Sequence, residues 1–204
     1  MSFGGFGEET FRFFEQVEQQ PSWDYVSSLR PEWESHVHLP MEQLLEALRP
    51  EFGSDVHAYN LHRDPYLCSH QVGLVSIAPS IALRVVLSVE GLVAEGVWFR
   101  SSREQVGRFR RAVADETSGP ALARIVGELQ RSSFLVDGRH LASRPRGWAA
   151  NHPRLELAWY TTLLASRQIG PEVLGSGPEC LAAVSATWRE LVPLISWLVE
   201  NLDG

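Results

Sequence analysis

Between residues 82 and 99 the hydrophobic period of the chain changes, and that change limits the folds open to it. Leu83, Val85, Leu87 and Val89 alternate with Arg84, Val86 and Ser88, Glu90-Gly91 supplies a turn, and a second apolar run occupies residues 92–99. Period-two alternation on both sides of a glycine turn predicts two antiparallel strands, 82–89 and 92–99, with one face mostly buried. Residues 72–77 read as a preceding strand and 56–61 as a weaker one.

The flanking segments keep a helical period. Residues 8–20 place Phe13, Phe14 and Val17 on one face, carry Glu8 and Glu9 in the first turn, and end at Pro21. A short helix or turn runs past Trp23 and Tyr25. The next helix starts near Pro31 and repeats Trp33, Val37, Met41, Leu44 and Leu48, with Pro40 expected to kink it and Pro50 and Gly53 to end it. After the hairpin, Ser101-x-x-Glu104 reads as a capping box before Val106, Phe109 and Val113. Ser118 or Gly119 opens a helix with Leu122, Ile125, Val126 and Leu129 inward, and short strands flank Asp137-Gly138. Asn151 reads as an N-cap with Pro153 just inside its helix and Leu155, Trp159 and Leu163 on one face. The last helix combines a capping box, Ser176-x-x-Glu179, with the series Leu181, Val184, Trp188, Leu191, Ile195, Leu198 and Leu202, and Pro193 should bend or split it. Helices, then antiparallel strands, then helices predict a single α+β domain over residues 1–204, its sheet centred on the 82–99 hairpin and packed by the N-terminal and C-terminal helices.

Charge narrows the function classes. A net charge of −7 over 204 residues opposes a general nucleic-acid surface, which needs a basic patch to neutralise phosphates. All the basic residues are arginine. Without lysine there is no Schiff-base chemistry, lysine-dependent phosphate loop or lysine base, and the Arg, Ala and Gly usage suits a GC-rich bacterial genome. Cys68 and Cys180 are too few for a disulfide framework or a thiolate metal site. No secretion signal and no apolar run of the ~18 residues a membrane span requires are recognised, so a soluble cytoplasmic protein is expected.

Several stretches resemble a known family. Phe6-Gly7-Glu8-Glu9-Thr10-Phe11-Arg12-Phe13-Phe14, then His36-Val37-His38-Leu39-Pro40-Met41 through Pro50-Glu51-Phe52-Gly53, are similar to the first two helices of domain-of-unknown-function family 2461, bacterial conserved hypothetical proteins. Phe109-Arg110-Arg111-Ala112-Val113, Pro145-Arg146-Gly147 with His152-Pro153-Arg154, and Trp188 with Pro193-Leu194 and Trp197-Leu198 continue the resemblance in order. The chain is identified as a divergent member. Where the family carries a longer, lysine-containing charged run, this sequence has only Arg63-Asp64 and Pro65-Tyr66. The resemblance implies no activity.

Two loops are candidates for a site. Arg63, Asp64, Tyr66 and His70 can form an acid–base group, or else an ion pair pinning the loop. Arg146 and His152 can receive a carboxylate or phosphate at a helix start, or else hold the turn and cap the helix. Trp98, Trp148 and His62 are further candidates for contact with a ligand, whereas packing explains most of the seven tryptophans. The loops 63–70 and 146–152 are expected to come together. His57, His62 and His70 match no zinc signature, so neither a metal nor another cofactor is expected. The resulting expectation is a small-molecule-binding protein with an apolar pocket. It includes a cofactor-independent enzyme of cyclase, isomerase or lyase type, with no nucleic-acid or membrane partner and a homodimer left open. A non-catalytic protein-interaction module is the alternative, and a metal-assisted hydrolase a more distant one.

Overall fold

The period-two segment forms β3 (Ile81–Ser88) and β4 (Gly91–Trp98), joined through Val89-Glu90. Ile81, Leu83, Val85 and Leu87 are buried while Arg84, Val86 and Ser88 are half-buried, as strand alternation requires. The computed structural model describes residues 2–61, 68–99 and 101–203. With β1 (Val56–Ala58), β2 (His70–Ala78), β5 (Leu135–Asp137) and β6 (Leu163–Ile169), the hairpin makes one six-stranded antiparallel sheet in the order β1-β2-β3-β4-β6-β5. The hairpin occupies its two central positions, and the fold is α+β. By contacts the chain divides into two compact units, Met1–Ser76 with Arg84–Ala94 and Gln168–Thr187, and Ile77–Leu83 with Glu95–Arg167 and Trp188–Gly204.

In the first unit, α1 (Glu8–Gln19) buries Phe13, Phe14 and Val17, and α2 (Trp23–Ser28) starts at Ser22, whose hydroxyl accepts from the Tyr25 N–H. The predicted helix with its stripe Trp33, Val37, Met41, Leu44 and Leu48 buries all five side chains. It is not a uniform helix. α3 (Arg30–Trp33) leads into a π-helical turn at Glu34–His38, and α4 (Leu39–Phe52) follows. The expected disturbance at Pro40 therefore takes the form of a widened turn just before it. Pro50 does not end the helix, which continues to Phe52 and stops at Gly53, where φ is 134°. α4 lies close on the sheet: a Cβ at Gly73 of β2 would come 2.5 Å from the Met41 sulfur and 3.1 Å from Leu45 Cδ1. Beneath, the Trp33 indole N–H donates to Gln71 Oε1 at 3.0 Å, and the Gln71 amide donates to the carbonyls of Tyr59 and Val72. Burial of Gln71 is thus matched by hydrogen bonds at both ends of its amide.

The second unit is built on aromatic packing. The Phe109 ring stands 5.0 Å from Trp98 and 5.8 Å from Trp197, and the Trp197 N–H donates to the Ser118 carbonyl. These rings hold α5 (Arg103–Ala114), α6 (Ser118–Arg131) and the second half of α9 (Gly177–Leu202). Leu191 and Ile195 of α9 lie against Gly96 of β4. α5 has its capping box one residue later than the sequence suggested: Ser102 pairs with Gln105, while Glu104 bonds Arg108 at 2.7 Å. After the single turn α8 (Pro171–Leu174), α9 runs unbroken through Pro193 and buries its predicted series except Leu181, which is half-buried beside the buried Cys180.

The expected helix from Asn151 to Leu163 is overturned. Only one turn, α7 (Leu155–Ala158), is helical, its N-cap is Arg154, and Leu163 begins β6. Tertiary pairing overrides the local period: β6 pairs with β5 through Leu135↔Ser166, Val136↔Ala165 and Asp137↔Leu164. No described helix is long and apolar enough to cross a membrane.

Candidate functional site

A cavity in the second unit lies along the outer side of α6. That helix is started by Asp115, whose Oδ1 accepts from the N–H groups of Thr117 and Ser118 at 2.9 Å each. Those backbone bonds hold the Asp115 carboxyl below its usual range. Leu122, Ile125, Val126 and Leu129 face inward, leaving Ala123, Gly127 and Gln130 to the cavity together with the rim of Val126.

The facing wall is the segment from His140 to Tyr160, folded back on itself. Leu141 N–H donates to Trp159 O at 2.9 Å, Thr161 N–H donates to Arg139 O at 2.6 Å, and an isolated antiparallel bridge joins His140 to Tyr160. His140 and Tyr160 meet edge to face, 4.3 Å between ring centroids. Between this wall and α6 is a cavity of about 410 Å³, lined also by Pro153, Arg154, Glu156, Leu157 and Trp159.

Arg154 fixes the wall in place. It is buried, and its Nε donates to Val113 O at 2.8 Å, while Nη2 donates to Ala114 O at 3.1 Å and to the Glu116 carboxylate at 3.1 Å. Val113 O and Ala114 O are the last carbonyls of α5, which have no partner within their own helix. In return the Arg110 guanidinium of α5 donates to Ala158 O at 3.2 Å, and burial lowers its pKa. The two motifs that carry the family resemblance here, Phe109–Val113 and His152-Pro153-Arg154, are thus bonded to each other.

Tyr160 is the polarisable group of the site. Burial, then the Asp137 and Glu156 carboxylates, raises its phenol pKa, so the hydroxyl stays protonated through neutral pH. That hydroxyl has no hydrogen-bond partner among the described residues. A neutral phenol, an imidazole and a carboxylate beside apolar walls can bind a polar ligand and exchange protons with it.

None of the sequence-predicted site residues that the structure describes lines this cavity. His62, Arg63, Asp64 and Tyr66 lie outside the described residues, and so does the expected meeting of the two loops. His70 begins β2, half-buried, its Nδ1 3.5 Å from the Ser69 hydroxyl. Burial and then the Arg84 charge lower its pKa. Trp148 and His152 do come together, ring centroids 4.5 Å apart, and His152 Nδ1 accepts from the Arg154 N–H at 3.1 Å. His152 therefore caps its own turn through Nδ1. Arg146 is exposed and makes no hydrogen bond or ion pair among the described residues. Trp98 is a core residue, 1% exposed, and does not line this cavity. His57 pairs with Asp55 at 2.8 Å, and among the described residues no three His, Cys, Asp or Glu side chains gather to hold a metal ion. Burial pushes the Cys180 thiol up to about 12.

Sequence reading missed Gly127, His140, Glu156 and Tyr160. Only Gly127, a glycine inside a helical run, carried a local signal.

A family model described as a conserved hypothetical protein, DUF2461, matches residues 81–197. No curated protein and no solved structure matches the chain. The matched segment runs from β3 into α9 and contains every residue lining the cavity, while the N-terminal stretches that resemble the family lie outside it. Since the match spans more than half of the sequence, the chain belongs to the DUF2461 family.

Proposed function

We propose that this protein binds a small molecule in the cavity between α6 and the 140–160 wall. Gly127 carries the reading. It sits in the interior of α6, where glycine costs roughly 0.5–1 kcal/mol relative to alanine. Packing does not demand it, since a Cβ there would meet nothing within 4 Å. What the missing side chain preserves is the opening itself. A volume of about 410 Å³ is within the range of small-molecule sites.

Tyr160, His140 and Glu156 on the opposite wall suit proton-transfer chemistry, in keeping with a cofactor-independent isomerase, cyclase or lyase working in the bacterial cytoplasm. The interaction-module reading has less support. All seven tryptophans are buried or half-buried, and Tyr59 is the one exposed ring among the described Phe, Tyr and Trp residues.

The test uses Gly107 as a control. It lies inside α5, where a Cβ would meet only Arg111 Nη1 at 3.6 Å, and it does not line the cavity. A library of soluble metabolites screened by thermal shift should yield ligands that raise the Tm of the wild type and of Gly107→Ala but not of Gly127→Phe. Gly127→Ala and Gly107→Ala should each stabilise the free protein by about 0.5–1 kcal/mol. Ligand shifts that survive Gly127→Phe would remove the cavity as the binding site.

A further inference from the structure

We propose that the α6 cavity selects a small organic cation, a protonated amine or quaternary ammonium, held against Trp159 and Tyr160 with Glu156 as its counter-charge. The inference rests on the cavity reading above and adds the class of ligand.

Three observations converge on it. First, aromatic residues make up much of the wall: Trp159 and Tyr160 both line the cavity, and His140 stands edge to face on Tyr160. Aromatic faces attract cations, most strongly when the site is partly shielded from water. Second, Glu156 lines the same cavity, and its carboxylate makes no hydrogen bond or ion pair among the described residues. The glutamates on nearby helices are engaged differently, Glu128 with Arg124 at 2.8 Å and Glu104 with Arg108 at 2.7 Å. Third, the charges acting on the Tyr160 hydroxyl are those of Asp137 and Glu156, both negative, behind the larger effect of burial. Asp137 has one backbone bond, from Gly138 N–H at 2.7 Å, and no ion pair among the described residues.

The competing class is an organic anion. Residues 138–155 contain four arginines and no acidic residue in a chain of net charge −7. Yet the one arginine that lines the cavity, Arg154, has its guanidinium taken up by the end of α5 and by Glu116. Arg139 precedes His140 at the bridge, and side chains of successive residues in an extended strand point to opposite sides. Arg144 and Arg146 are not part of the lining. The geometry favours the cation.

Three probes of similar size separate the outcomes: benzyltrimethylammonium, benzyl alcohol and benzoate, each titrated by calorimetry into the 204-residue protein. The cation should bind at least about tenfold more tightly than either of the others. Glu156→Gln, a change at an exposed residue, should weaken the cation several-fold and leave benzyl alcohol unchanged. Tyr160→Leu should weaken the cation more than Tyr160→Phe, which keeps the ring. Gly127→Phe should abolish binding of the cation. Equal binding of cation and alcohol, both blocked by Gly127→Phe, would overturn the charge selection and leave the cavity standing. Tightest binding of benzoate, lost in Arg139→Gln or Arg144→Gln, would overturn it in favour of an anion. Binding that ignores Gly127→Phe would sink the cavity reading itself, and no binding of the cation at millimolar concentration would sink the selection.

Discussion

The Thr10 hydroxyl donates to the His36 carbonyl at 2.6 Å, across 26 residues of sequence. Pro40 explains why that carbonyl is available. In a regular helix the N–H of residue 40 would reach it, and proline has none. The turn widens instead, so that the Leu39 N–H reaches back to Glu34 O, and the buried Thr10 side chain of α1 takes the place of the missing donor. A helix break is thereby converted into a tie between α1 and the π-helical turn.

Thr10→Val should therefore destabilise the protein by about 1–2 kcal/mol, the loss of a buried hydrogen bond with its acceptor left behind. In a Pro40→Ala background, where residue 40 regains its N–H, the same change should cost at least about 0.5 kcal/mol less. Denaturant unfolding of the four proteins measures the difference. Strictly additive losses would mean that Thr10 acts by packing alone.

Arg154 should prove to be a structural residue of the family motif. Removing its fork from the α5 terminus, as in Arg154→Ala, is expected to cost about 2–4 kcal/mol. Arg154→Lys should recover little, because a single ammonium cannot reproduce a planar fork shared among several carbonyls. Gly119 reports on the same contact, since a Cβ there would lie 2.6 Å from Arg154 Nε and against the Val113 carbonyl. Gly119→Ala should cost about 1–3 kcal/mol through overpacking. Variants that melt within a degree or two of wild type would refute this assignment.

His70 should give the protein an acid-sensitive component of stability. Its folded pKa lies below the ordinary value of 6.5, first through burial and then through the Arg84 charge. The unfolded chain therefore binds the proton more readily. The contribution is complete above the ordinary value and is lost as pH falls through it towards the folded pKa. Thermal melts between about pH 7.5 and 5 should show a Tm that falls on acidification, and His70→Asn should reduce that slope. An unchanged slope in the variant would place the acid sensitivity elsewhere.

Local chemistry was enough to write most of the architecture. The alternation of Leu83, Val85 and Leu87 marks a strand wherever it is placed, because a slip of one residue would turn all three out of the core. The spacing of Trp33, Val37, Met41, Leu44 and Leu48 survives even a π-helical turn, since one face of the helix has to be covered. Glycine and proline positions were legible as interruptions, although not whether the chain would widen, as before Pro40, or run straight on, as at Pro193.

The tertiary structure decided what the stretch from Asn151 to Ile169 became. Leu155, Trp159 and Leu163 fit a helical stripe, and only pairing with β5 makes Leu163–Ile169 a strand. The candidate site followed from the same decision. Once the chain turns back at the bridge, His140 and Tyr160 are neighbours and Glu156 and Gly127 line one cavity. Periodicity describes which side of an element is apolar. It holds no information about which polar residues of distant segments share a cavity, because that depends on backbone hydrogen bonds formed between those segments.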